Sequence, residues 1–220
     1  MSNQKYFNTP VGVAIWPKLV DADEKFNKWG VKLALPVDDE ATQDFIELID
    51  KLAADALENT IKEKKAAGFT PAKLKKIVAA DLPYEYEEDD DGEPTGRVLF
   101  NFSKKSIIQR KDKEDIICSP PGLFDAAGKK IPGKPQIWGG SKLIVNFGTR
   151  DYWVAKIGAG VSLQLRAVQV IELVSGGAAT AEDCGFEAHE GGYVADQTVA
   201  DEAPTPAADT ADEDSDDEDF

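Results

Sequence analysis

The chain has 220 residues with 41 acidic and 25 basic side chains, a formal net charge of −16, two cysteines and one histidine. With His189 and Cys184 both near the C-terminus, the body can assemble neither a Ser–His–Asp triad, nor a Cys–His pair, nor a zinc site. No apolar run approaches the ~20 residues of a membrane helix, and Met1 to Lys5 lacks a signal-peptide core, so a soluble intracellular protein without cofactor or metal is expected.

Val11 to Val20 reads as a strand, with Pro17 arguing for an edge or a bulge. Trp29 to Leu35 alternates Val31, Leu33 and Leu35 against Gly30, Lys32 and Ala34, the pattern of a half-buried strand that Pro36 ends. Asp38 or Asp39 then caps a helix in which Phe45, Ile49, Leu52 and Ala56 recur at helical spacing. Gly68 and Pro71 stop it, and a shorter helix is expected from Pro71 to Val78. The stretch from Asp81 to Gly96 reads as an acidic loop. Arg97 to Lys104 returns to period two with Val98, Phe100 and Phe102 on one face, Ile116 to Ser119 is a weak strand, and Leu123 to Ile131 is a hairpin turning at Ala127-Gly128. Two strong strands, Ser141 to Trp153 and Val161 to Val174, close the body.

Charge divides along this order. From Gly176 to Phe220 there are 15 acidic residues and no Lys or Arg, which leaves the body 26 acids against all 25 bases. Glu85 to Glu93 holds 7 of those 26, and without it the body is basic by six charges. Residues 1–175 are therefore expected to form one domain, and 176–220 a disordered acidic tail too poor in apolar surface to fold. Five to seven strands with one prominent α-helix fit a small closed, mainly β barrel.

Two motifs fail on inspection. Gly128 to Lys134 imitates a phosphate loop, but Pro135 stands where a hydroxyl must reach Mg²⁺. Glu87 to Gly92 resembles the start of a calcium loop, but its twelfth position is Val98 where a bidentate Glu is required.

Aromatics interleave with cations in the strands. Trp16 precedes Lys18; Phe26, Lys28, Trp29 and Lys32 lie together; Phe100 and Phe102 run into Lys104 and Lys105; Trp138 precedes Lys142; and Arg150, Tyr152, Trp153 and Lys156 follow. Unpaired nucleic-acid bases need such partners, flat apolar surfaces for ring faces and positive charge for phosphates, and the chemistry tolerates any base sequence. The bland reading stands beside it: alternating aromatics such as Phe100, Phe102 and Phe147 suit a core, and the cations suit a solvated surface. Tyr152 and Trp153 are adjacent, so in a strand one of them faces outward. Candidate DNA contacts are Tyr152, Trp153, Lys142, Arg150, Lys156, Trp138, Trp29, Lys32, Phe102, Lys104 and Lys105. An acidic-tailed adaptor that binds protein and never DNA is the alternative, with a Mg²⁺-dependent nuclease a weaker third.

Gly139 to Phe147, Tyr152, Gly160 to Leu165 and Val168 to Leu173 resemble the replication single-stranded DNA-binding proteins of the T-seven type of tailed phage. The early long helix and an acidic tail ending in Phe220 agree. The resemblance implies an OB-fold, a homodimer acting in phage replication, recombination and repair in the cytoplasm of the bacterial host, and no catalysis. It also implies that the tail, with Asp216, Asp217, Glu218, Asp219 and Phe220, contacts DNA polymerase and helicase-primase and competes with DNA for the basic groove. By position Tyr152 matches the family's stacking tyrosine and Lys142 the cation before it, whereas Ile144 or Asn146 stands where a relative has a further cation. The acidic run from Glu85 to Glu93 has no counterpart to carry over.

Overall fold

The computed structural model describes residues 5–110, 114–133 and 135–174. The expected tail, with Asp216 to Phe220, lies outside the described residues. The chain runs as β1 (Tyr6–Asn8), β2 (Gly12–Asp23), β3 (Lys28–Pro36), α1 (Glu40–Ala66), the single turn α2 (Pro71–Leu74), β4 (Tyr84–Glu88) and β5 (Pro94–Lys105). It continues with the small hairpin β6 (Ile107–Ile108) and β7 (Ile116–Ile117), then β8 (Gly122–Phe124), β9 (Lys142–Val154) and β10 (Gly158–Glu172).

Five strands that alternate inward and outward over much of their length build a ring. β2 pairs with β3, β3 with β5, β9 with β2 and β10 with β9, all antiparallel, and β10 closes on β5 in parallel. β1, β4 and β8 extend it beside β9, β5 and β10. Inward positions carry Val31, Leu33 and Leu35 of β3, Val98, Phe100 and Phe102 of β5, Leu143, Val145 and Phe147 of β9, and Leu163 and Leu165 of β10, all buried. A bulge between Leu165 and Ala167 shifts the inward phase of β10, so Val168 and Val170 continue the core. This is the mainly β, OB-like architecture with one long helix that the sequence predicts.

The long helix plugs the ring. Phe45, Ile49 and Ala56 recur on its buried face, and the Phe45 ring sits 4.7 Å from Phe100 and 5.8 Å edge-on from Phe147. Its last turn ends in a Schellman motif: Gly68, at φ 83°, donates to the Lys65 carbonyl and Phe69 to the Lys64 carbonyl. That turn delivers Phe69 edge-on to Trp153, and the Lys64 ammonium lies 4.3 Å over the same indole. No described helix is long and apolar enough to cross a membrane.

Two expected elements are different: the helix expected from Pro71 to Val78 is a single turn that stops at Leu74, and the acidic loop is largely strand. The acidic stretch 81–96 is not a loop but mostly a hairpin, β4 paired with β5 and turning at Asp89 to Glu93. Its glutamates hid a strand period in which Tyr84 and Tyr86 share one side; the Tyr84 ring packs 5.2 Å from Phe100.

Candidate nucleic-acid interface

Between the buried rings of β5, Asn101 and Ser103 point outward. With Lys32 of β3, Ser162 of β10 and Tyr152 of β9 they line a cleft of about 410 Å³, walled by Leu82 to Glu85. Lys32, Asn101 and Ser103 also belong to the next section of surface, which adds Trp16, Lys18, Phe26 and Lys28. Trp16 and Lys18 carry it onward to Trp138. The result is one groove crossing β9, β10, β5, β3 and β2.

Ring faces are presented along its length by specific backbone choices. Gly160 lies directly across from Tyr152, and a Cβ there would stand 2.9 Å from the Tyr152 hydroxyl. Only glycine lets the half-buried ring lie against β10. Trp16 adopts φ 47° within the irregular register between Ile15–Lys32 and Lys18–Gly30, just before Pro17. A left-handed conformation at a bulky residue costs of order 1–3 kcal/mol. What it achieves is visible: the indole stands 83% exposed. Phe26 is also exposed, with the Lys25 and Lys28 ammonium groups 5.4 and 5.2 Å from its ring.

Carboxylates of the acidic hairpin reach the same surface. Glu85 pairs with Lys32 at 2.6 Å and Glu87 with Arg97 at 2.5 Å. The Thr95 hydroxyl donates to Glu87 at 2.6 Å and, with Arg97, holds that carboxyl below its usual range. Tyr84 donates to Asp50 at 2.8 Å; its burial first, and that bond second, push its phenol well above the usual range, so it stays a neutral donor.

The residues singled out from sequence separate into groups. Tyr152, Lys32 and Trp138 share the groove. Trp29 and Phe102 do not: Trp29 is 7% exposed with its indole N–H donating to the Val20 carbonyl at 3.3 Å, and Phe102 is fully buried. Both face the core side of their strands, so neither can stack a base. Trp153, on the strand face opposite Tyr152, packs beneath Phe69 and Lys64. Lys142 pairs with Glu172 at 2.9 Å, ten positions from Tyr152, roughly 30 Å along the strand. Lys104 and Arg150 line a different cleft, and Lys105 and Lys156 are exposed but line neither. Asn101, Ser103 and Arg97 were not singled out, and Trp16, Lys18 and Phe26 were noted but not chosen. The signal for Trp16 was Pro17, which marks the bulge that turns the ring outward.

Over residues 19–173 the chain matches the family model described as single-stranded DNA-binding protein, bacteriophage T7. It belongs to that family. It is 31% identical over 166 residues to the single-stranded DNA-binding protein of Escherichia phage T7, spanning 75% of this chain and 70% of the relative. Against the same protein of Enterobacteria phage T3 it is 29% identical over 169 residues, 76% and 72% of the two chains. The crystal structure of gp2.5, a single-stranded DNA binding protein encoded by bacteriophage T7, superposes with a TM-score of 0.64 at 29% identity, covering 88% of this chain and all of that one. The family match takes in Lys32, Arg97, Asn101, Ser103, Trp138 and Tyr152 but begins after Trp16 and Lys18, which line the groove from outside the matched region.

Proposed function

We propose that this protein binds single-stranded DNA without sequence preference along the groove from Tyr152 to Trp138. The observation that carries this reading is the continuity of the surface: exposed or half-exposed rings alternate with cations across five strands, and each base has a π-face to stack. Family membership supports it. The protein coats strands during phage DNA replication and recombination as a homodimer, and the acidic segment beyond residue 175 contacts replication proteins and competes with DNA. These last roles rest on composition and on resemblance to the family.

Titration with oligo-dT against duplex of equal length tests the reading, since bases stacking on Trp16, Trp138 or Tyr152 quench emission. Quenching by the single strand, preference over duplex and a log–log salt slope of about −2 to −3, for some three to four neutralised phosphates, are expected. No quenching and no binding would turn the protein into an adaptor for protein partners. Sedimentation at several concentrations tests the dimer.

A further inference from the structure

Lys104 and Arg150, both expected in the groove, converge elsewhere. With Arg166 of β10 and Tyr6 of β1 they line a second cleft of about 700 Å³ that shares no lining residue with the groove. On β5, Ser103 lines the groove and its neighbour Lys104, on the other face of the strand, the second cleft; on β9, Arg150 stands on the same face as Tyr152, two residues before it, and lines the second cleft alone.

The charges differ as well. Among the described residues, Lys32 in the groove is paired with Glu85 and Arg97 with Glu87, leaving Lys18 and Lys28 without an ion pair, whereas in the second cleft none of Lys104, Arg150 and Arg166 enters one. The one acid lining the second cleft, Asp151, accepts from the Asn59 amide at 3.2 Å. The Arg166 guanidinium carbon sits over the Tyr6 ring, 4.1 Å from its centroid, a contact that helps to hold the group in place. Its single close polar contact is a long one, 3.4 Å to the Asn146 side-chain oxygen. A guanidinium held over a ring with its N–H edge open is suited to bidentate contact with phosphate oxygens. The cleft sets three cations against one ring, Tyr6, with Arg166 over it: it suits the sugar–phosphate backbone more than the bases.

We infer that this cleft is a second DNA site, holding the phosphate backbone of a second strand segment while the groove holds the first. The inference rests on the groove reading proposed above, and the experiment separates the two. Full-length protein is titrated with labelled oligo-dT of about six residues, near the lower bound of OB-fold site sizes and so short enough to occupy one cleft at a time. Tryptophan quenching follows the groove, and anisotropy of the label counts strands per chain. The expected result is two strands per chain, the second without quenching and with a salt slope of about −2 for three cations on single-stranded DNA. In Lys104→Ala/Arg150→Ala/Arg166→Ala the count falls to one and the quenching phase is unchanged. If that variant fails to fold by circular dichroism, Arg150→Gln and Arg166→Gln singly are expected to weaken the second phase and leave the first.

Absence of the quenching phase from the wild type would sink the groove reading. A quenching phase with only one strand per chain would overturn this inference alone, as would a triple variant that loses groove affinity in proportion. If the variant keeps both strands and loses only a synthetic peptide of residues 201–220, the cleft is a peptide site and the inference fails.

Discussion

Tyr152 and Trp16 illustrate how differently a ring can be placed. Tyr152 lies down because Gly160 leaves it room, and Trp16 stands up because its backbone is forced into a left-handed turn. Tyr152→Ala should lose about 1–3 kcal/mol of oligo-dT binding in the quenching titration, with little change in melting temperature. Unchanged affinity with lowered stability would mean the ring serves packing alone. At Trp16 the two properties should move in opposite directions. Trp16→Gly relieves an unfavourable φ and is expected to hold or raise the melting temperature while weakening DNA binding by about 1–3 kcal/mol. At this scale the sequence was only partly legible. Trp29 and Trp16 carry the same side chain beside lysines, and neighbouring charge predicts exposure for both. Strand phase decides: Trp29 is in step with Val31 and Leu33, whereas the bulge before Pro17 takes Trp16 out of step.

Among elements, the acidic hairpin matters most because it brings carboxylates to the groove's cations. Exposed ion pairs of this kind contribute little to stability, roughly 0–1 kcal/mol, so their effect should fall on binding. Glu85→Gln with Glu87→Gln should leave folding nearly unchanged and tighten oligo-dT binding at low salt, the gain fading as salt rises. Equal affinity at all salt concentrations would show that DNA never meets Lys32 and Arg97. The pH dependence has a definite sign. The Glu87 carboxyl is held below its usual range, chiefly by Thr95, so its contribution to stability is present above the unfolded carboxylate pKa and lost as pH falls through the lower folded value. Acidification through that window should release Arg97 and mimic Glu87→Gln. A titration at fixed low salt checks it, with the variant as the flat control. Composition concealed this hairpin, since alternating Tyr and Glu reads as a charge run before it reads as a period. The helix was legible because Phe45, Ile49 and Ala56 obey the 3.6 repeat without interruption. Phe45→Ala, which empties the contact with Phe100 and Phe147, should cost about 3–5 kcal/mol by denaturant unfolding.

For the whole molecule, net charge misleads and its distribution informs. Fifteen carboxylates beyond residue 175 are tethered to a body that is basic outside its acidic hairpin, and tethering gives a local concentration of order mM. Deleting residues 201–220 removes ten carboxylates and should tighten DNA binding most at low salt, with no change in melting temperature. Affinity no better than that of the full chain would limit this segment to solubility or partner contacts. Strand count and the single helix pointed to a closed barrel, but not to which strands close it, because the parallel contact of β10 with β5 joins strands more than fifty residues apart and leaves no local mark.

That contact also orders events during synthesis. β10 is the last strand among the described residues, yet it pairs with β5, β8 and β9. Until Glu172 is available, β5 and β9 each carry an open edge lined with core residues, the condition under which nascent sheets pair with one another. The chain that follows, from Gly176 to Phe220, carries 15 acidic residues and no Lys or Arg. Once the chain is released, like charges on that segment would hold neighbouring molecules apart until β10 has docked on β5 and the ring has closed.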